Sequence, residues 1–297
     1  MMKKIVVGIG EILWDVFGDK KVLGGAPANF SYHISQFGYE GYTVSAVGRD
    51  DNGKEILLNL QDKDLKHIIH EVDFPTGTVQ VTLDKEGIPQ YEICENVAWD
   101  NIPFDAKIEQ LASKTDAVCF GSLAQRNVVS HESIKNFIHH MPTGSLKIFD
   151  INLRQHFYTK EMLMESMKMA NVLKINDEEA VIVADLFGYD DMEEDDICKR
   201  LQNNYDFDVV ILTKGVRGSC IFTKSEVSMM STPVVEVVDT VGAGDSFTAA
   251  FVALHLQKKP LKESHQLAVE VAAYVCTQQG AMPLLPDHYT SSVKNKM

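Results

Sequence analysis

This sequence predicts an α/β protein: a mostly parallel sheet with helices on both faces, and a small β appendage. Three observations lead there. Short β-branched runs alternate with helical stretches over most of the chain, a glycine-rich turn feeds a helix near each end, and residues 77–94 read instead as an antiparallel hairpin. At 297 residues the chain is long enough for a substantial core, and one α/β domain spanning 1–297 with a small appendage fits that length.

Residues 3–10 (KKIVVGIG) make the first strand, a β-branched run whose glycine end opens into a loop suited to a ligand site. After Gly24-Gly25, Pro27 suits a first helical turn. Ala28, Phe30, Ile34 and Phe37 then recur at helical spacing until Gly38 stops the element. Further strands are expected at 42–47, 117–120, 146–151, 172–175 and 208–213. Helices near 53–62, 130–140, 160–170, 176–186 and 193–204 alternate with them, which is the pattern of a covered parallel sheet. Residues 77–83 (GTVQVTL) and 88–94 (IPQYEIC) flank an Asp84-Lys85-Glu86-Gly87 turn and form the hairpin. Joined by residues 12–23, the segment at about 77–98 is expected to make a lid on the main body. The acidic run Glu193-Glu194-Asp195-Asp196 starts a helix, where negative charge favours the macrodipole. Residues 287–297 are polar and expected to fray.

Composition narrows the function. Apolar residues make up 45% of the chain and charged residues 24%, which argues against long disordered tracts. The net charge is −14 with Lys and Arg scattered, which argues against a nucleic-acid surface. An anionic ligand must therefore be held locally, by amide dipoles at a helix start. The five cysteines lie far apart without a CxxC pair and read as reduced core residues. His139-His140 has no second cluster to complete a metal set. Met1-Met2-Lys3-Lys4 precedes only a short apolar strand, and no run is long enough to span a bilayer, so a cytoplasmic location with no membrane partner is expected.

The most informative segment is Asp239-Thr240-Val241-Gly242-Ala243-Gly244-Asp245-Ser246-Phe247, which leads into a small-residue helix. Glycines there let successive N–H groups converge on an anion. A phosphoryl group in flight spreads its charge over equatorial oxygens, so it needs such donors together with a base aligned on the attacking hydroxyl. Asp245, just inside the helix, suits that base, with Gly242, Ala243 and Gly244 as the anion hole. The plainer reading of an isolated GxGD is a turn and a helix cap.

The context decides. DTVGAGD resembles the second signature of the PfkB, or ribokinase-like, carbohydrate kinases over its full length. Gly24-Gly25-Ala26-Pro27-Ala28-Asn29, followed by Gly48-Arg49-Asp50-Asp51-Asn52-Gly53, resembles the first. The likeness continues through Asp150-Ile151-Asn152-Leu153-Arg154, Asn176-Asp177-Glu178-Glu179 and Thr213-Lys214-Gly215-Val216-Arg217-Gly218, so it covers essentially the whole chain. It implies a ribokinase-like fold: a Rossmann-like three-layer α/β/α core with a mostly parallel sheet and a small β-sheet lid. The sugar is expected under the lid, with ATP crossing the carboxyl edge of the sheet.

The same resemblance distributes the other residues. Asp15 can accept two sugar hydroxyl hydrogen bonds, and its counterpart in the family binds sugar. Gly25 and Asn29 offer close backbone approach and an amide hydrogen bond to the sugar; otherwise they are a turn and a polar helix-face residue. Arg154 contacts the sugar or the transferred phosphate, or else pairs with a neighbouring acid. Asn176 and Glu179 share a helix face, and the family's N-x-x-E motif implies magnesium-bound water near the ATP phosphates; a bare pair would be a cap. Thr213, Gly215 and Gly218 lie at a strand end where nucleotide approaches the backbone, and Lys214 beside them points to solvent. Asp239, Thr240 and Gly280 resemble a potassium-binding loop. Ala273, with Val269 and Ala272, flanks adenine or belongs to the core. Arg126 follows a strand end, with no partner legible in the sequence.

Two other classes compete. A nicotinamide-binding dehydrogenase would explain Gly8-Ile9-Gly10, but Leu13 stands where the third glycine belongs. A non-catalytic sugar-binding regulator would have no need of Asp245 beside an anion hole. A Walker-type kinase lacks its G-x-x-x-x-G-K-[ST]. Within the kinases, residues 10–15 and 24–29 look most like fructokinases, so phosphorylation of a primary hydroxyl of D-fructose is expected; ribose, 2-keto-3-deoxygluconate and nucleosides are the alternatives. The stretch between Asp15 and Gly24 is shorter than in many fructokinases, which alters the lid. A homodimer through the lid is expected, because a hairpin edge can pair with its twin.

Overall fold

The structure is a computed structural model that describes residues 3–18, 20–83, 89–189 and 191–294. From the N terminus, β1 (Ile5–Ile9) leads into a hairpin of β2 (Leu13–Phe17) and β3 (Lys20–Gly24), then α1 (Ala26–Gln36), β4 (Glu40–Gly48), α2 (Asp51–Asp62) and β5 (Lys66–Val72). A second strand pair, β6 (Thr78–Leu83) and β7 (Pro89–Ile93), precedes α3 (Ala106–Ala112), β8 (Ala117–Phe120), α4 (Val128–His140), β9 (Leu146–Asp150), α5 (Lys160–Met169) and β10 (Val172–Asn176). The remainder is α6 (Asp177–Phe187), α7 (Glu194–Tyr205), β11 (Val209–Thr213), β12 (Ser219–Thr223), β13 (Val227–Met230), α8 (Ala243–His255), α9 (Leu261–Cys276) and α10 (Asp287–Lys294).

The main sheet has the order β13-β12-β11-β10-β9-β8-β1-β4-β5. Every neighbouring pair from β11 to β5 is parallel, and β12 and β13 add an antiparallel edge. Successive residues of a strand point to opposite faces, so each buried strand feeds two cores. Val7, Val118, Phe149, Val210 and Leu212 pack on one face with α4 to α7. Val6, Ala117, Cys119, Ile148 and Ile211 pack on the other with α1, α8 and α9. This is the three-layer arrangement expected from the alternating pattern.

The small sheet is separate, with the order β3-β2-β6-β7. Its β2 and β6 run parallel, while β2–β3 and β6–β7 are antiparallel. The stretch 12–23 is thus itself a hairpin, and the Asp84 to Gly87 turn lies outside the described residues. Ile12, Trp14 and Leu23 seat this sheet on α1 and α2 through Ala28, Tyr32, Ile56 and Leu60. Three strands escaped the sequence pattern. Lys66, His67, His70 and Glu71 break up β5, the charged edge of the main sheet, while β12 and β13 are short and carry serines.

The C-terminal expectation is corrected. Residues 287–294 do not fray but form α10, because Val293 is fully buried and its carbonyl accepts a 3.0 Å hydrogen bond from Gln257. The acidic start of α7 stands as expected, and Glu194 and Asp195 also bind Lys214, so that lysine is held in an ion pair rather than pointing freely to solvent. Among the described residues no helix is long and apolar enough to cross a membrane.

Arg126 turns out to be a clamp. Its Nε and Nη2 donate to the two carboxylate oxygens of Asp100 at 2.7 and 2.9 Å, and Nη2 also donates to the Cys94 carbonyl just beyond β7 at 2.6 Å. The guanidinium lies between the rings of Trp99 and Phe157, 4.1 and 4.5 Å from their centroids. Arg126→Ala would leave Asp100 buried and unpaired, and is expected to cost about 3–5 kcal/mol in urea unfolding. Wild-type stability in that variant would contradict the assignment.

Candidate active site

Helix α8 starts without a side-chain cap. Gly242, at its N terminus, has φ 76°, and a β-carbon there would lie 2.6 Å from the Ala281 methyl, so the position requires glycine. Ala281 is fixed in turn by His33, whose Nε2 meets its carbonyl at 2.9 Å. Burial holds His33 down to about 4, so the ring is neutral and donates from Nε2. The Ala243 N–H is satisfied by the Thr240 carbonyl at 3.3 Å, whereas those of Gly244 and Asp245 have no partner among the described residues. Two open amides at a helix start favour an anion.

Asp245 sits in the first turn of α8, and its Oδ2 accepts a 2.8 Å hydrogen bond from Asn29 Nδ2 on α1. Burial raises the Asp245 carboxyl to about 6, helped by the charge of Asp150; the Asn29 bond, Lys174 and Arg154 pull it back. A carboxylate poised there is ionised at neutral pH yet basic enough to take a proton. Asn29 Oδ1 is buried without a partner among the described residues, so the same side chain has an acceptor to spare.

Carboxyl ends of the parallel strands supply further charges. Asp150 ends β9, and Lys174 of β10 donates to its Oδ1 at 3.1 Å; both side chains are buried. Burial disfavours the Lys174 ammonium, but Asp150, Glu179 and Asp245 outweigh that and hold its pKa above the ordinary value. Glu11, beyond β1, is buried, and its Oε2 has no partner among the described residues. Burial lifts its carboxyl to about 7 against the pull of its own backbone N–H, and Asp245 lifts it further. Neither Glu11 nor Lys174 was picked out from sequence. The signal available was a lysine inside the buried strand run VLKIN, where a charge needs a reason.

Asp15, on β2, lies with its Oδ2 against the backbone of Gly24. Burial raises it to about 6, and Arg154 opposes that. Arg154 also lowers Glu11 and Asp245, so one guanidinium acts on all three carboxyls. It forms no ion pair among the described residues, and its Nη1 donates to the Leu153 carbonyl at 3.1 Å. Gly25, the N-cap of α1, lies against the Glu11 carbonyl.

A cleft of about 390 Å³ opens beside the start of α8. Thr213, Gly215 and Gly218 line it together with Ala243 and Gly244, and Val269, Ala272 and Ala273 of α9 add apolar surface. Asn176 and Gly242 are not in its lining. Arg217, between the lining residues Val216 and Gly218, is tied to Asp177 and Glu194.

Residues 9–288 match the family described as pfkB family carbohydrate kinase. The chain belongs to that family. This pfkB-family kinase is 28% identical to an ATP-dependent 6-phosphofructokinase of Thermoanaerobacterium thermosaccharolyticum, over 95% of this chain and 91% of the relative. It is 26% identical to probable fructokinase-5 of Arabidopsis thaliana, over 95% and 94%. Its fold is ribokinase-like, and it is similar to the structure of an uncharacterized sugar kinase from Pyrococcus horikoshii in complex with ATP. That likeness has a TM-score of 0.77 at 25% identity and covers 99% of this chain and 96% of the other.

In this kinase Asn176 and Glu179 form a reciprocal cap on α6. Asn176 Oδ1 accepts from the Glu179 N–H at 2.8 Å, and Glu179 Oε2 accepts from the Asn176 N–H at 2.9 Å. Glu179 Oε1 accepts from Leu153 N at 3.0 Å, so each oxygen keeps one lone pair in reserve. Among the described residues no cluster of metal-ligating side chains could cage an ion by itself. That donor set fits a magnesium ion that arrives on phosphates with its own water. Asp239 draws the last loop together, accepting from the N–H groups of Val241 at 3.0 Å and Gly280 at 3.1 Å, next to Thr240. Gly242→Ala is expected to lower stability by about 1–3 kcal/mol through left-handed strain and the clash with Ala281, read from thermal unfolding. An unshifted melting curve would show that this turn has more room than its geometry gives.

Proposed function

We propose that this carbohydrate kinase transfers the γ-phosphoryl group of ATP to a primary hydroxyl of D-fructose, with Asp245 as the base. The observation that carries the reading is Asp245 itself: held by Asn29, raised to about 6, and directly after Gly244, whose open amide borders a nucleotide-sized cleft. The sugar oxygen forms its bond to Pγ as the bond from Pγ to the ADP oxygen breaks. The hydroxyl proton passes to Asp245, and ADP leaves with the electron pair. The open amides of Gly244 and Asp245 take the charge that develops on the equatorial oxygens, while Ala243, expected as a third donor, spends its N–H on the Thr240 carbonyl.

Asp15 and the spare Asn29 Oδ1 accept sugar hydroxyls under the small sheet, which serves as the lid, and Arg154 binds sugar or phosphoryl oxygens. Thr213, Gly215 and Gly218 receive the nucleotide, with Ala273 against adenine. Glu179 and Asn176 would hold, through water, a magnesium ion that neutralises phosphate charge, and Asp239, Thr240 and Gly280 would hold a potassium ion that adds positive charge beside the anion hole. Two chains pair through the lid edges. The likeness to a 6-phosphofructokinase and to a probable fructokinase favours fructose or its phosphate as acceptor.

Assays with ATP and magnesium over fructose, fructose 6-phosphate, ribose, 2-keto-3-deoxygluconate and nucleosides test the substrate. Fructose is expected to give the highest kcat/KM, and preference for another acceptor would replace it. Asp245→Asn is expected to lower kcat by about 10²–10⁴ with sugar binding little changed. Near-normal turnover would remove Asp245 as base. Asp15→Ala is expected to raise the sugar KM with the ATP KM unchanged, and an unaltered sugar KM would contradict its placement.

A further inference from the structure

Lys174 occupies the centre of a strand whose other positions are mostly apolar and buried. A lone buried ion pair with Asp150 is a weak source of stability, since desolvating both ions offsets their attraction. The surroundings of the ammonium suggest a further role. It touches the carboxylate of Asp150 and feels the charges of Glu179 and Asp245, on three different elements in all. Its other close neighbour is Gly244: a β-carbon on that residue would lie 3.1 Å from Nζ and 3.7 Å from Cε. The lysine therefore ends against Gly244 in the first turn of α8, in space that any side chain at position 244 would contest. Gly244 is at the same time a wall of the nucleotide-sized cleft.

The charge balance points the same way. A triphosphate entering this region meets carboxylates on several sides, in a chain of net charge −14. An ammonium has three N–H donors, and the bond to Asp150 uses one. We propose that Lys174 is a catalytic residue whose ammonium reaches past Gly244 to a non-bridging oxygen of the phosphoryl group in transfer. This rests on the kinase reading above. Lys174 forms no covalent bond and stays protonated throughout. As the bond to ADP breaks, its hydrogen bond strengthens with the charge on the oxygen it touches. It complements the backbone amides with a full positive charge that, unlike magnesium, does not leave with the nucleotide.

The test compares wild-type enzyme with Lys174→Met and Lys174→Ala, using fructose or whichever sugar of the panel the wild type phosphorylates. Lys174→Met is expected to lose about 10²–10³ in kcat while the sugar KM stays within about threefold, because the interaction is made mainly in the transition state. Ethylamine is expected to restore at least about tenfold of the lost Lys174→Ala turnover, saturably, which a purely structural ion pair would not do. If the single variants do not fold, Asp150→Asn/Lys174→Met removes both buried charges, and its kcat is compared with that of Asp150→Asn alone; the same loss is expected. Turnover within about threefold of the reference protein, or no response to ethylamine, would overturn the inference while leaving the kinase reading intact. A wild-type protein that phosphorylates none of the sugars would sink both.

Discussion

The site depends on holding several carboxylates close together out of bulk water. Glu11, Asp150, Glu179 and Asp245 come from four different elements, and their mutual repulsion has to be offset by the cations Lys174 and Arg154 and by hydrogen bonds to backbone N–H groups. The result is a graded set rather than a row of equal anions. Asp245 is lifted to about 6 and Glu11 to about 7, while Lys174 is kept charged. A base needs this balance: a fully solvated Asp would be too weak to draw a hydroxyl proton, and an unopposed buried one would stay protonated.

Topology brings the charges together. Parallel strands deliver β1, β9 and β10 to one edge of the sheet, so Glu11, Asp150 and Lys174 need only strand order to meet. The opposing layer then carries α1 and α8, and the hydrogen bond from Asn29 to Asp245 joins residues 216 apart in sequence. The small sheet is anchored at two places, by its own apolar cluster on α1 and α2 and by the Arg126 clamp beyond β7. Asp15 is carried on that sheet and lies close enough to Arg154 to feel its charge.

Much of the fold was legible because the buried strands are short apolar runs set between helical periodicities. Strands with mixed chemistry were not: β5 (KHIIHEV) sets polar pairs around Ile68-Ile69 at a sheet edge without a two-residue alternation, and β13 is half exposed. Residues 287–294 looked like a frayed tail because seven of the eight are not aliphatic; the one valine, fully buried, decides the matter. At the site, the glycine-rich turn and Asp245 stood out by local pattern. Asn29 was marked as a sugar ligand, and its bond to Asp245 was invisible because nothing local couples those positions. Lys174 and Glu11 needed the three-dimensional charge count, which no spacing rule encodes.

The central claim is that Asp245 must be ionised to act, and the pH dependence of kcat tests it most directly. With a folded-state value near 6, kcat should be level above that pH and fall about tenfold per unit below it. In Asn29→Ala, which removes a bond favouring the ionised form, the falling limb should move to higher pH. A kcat that stays flat down to pH 5 in wild-type enzyme, or a limb that the Asn29 variant leaves in place, would contradict the account.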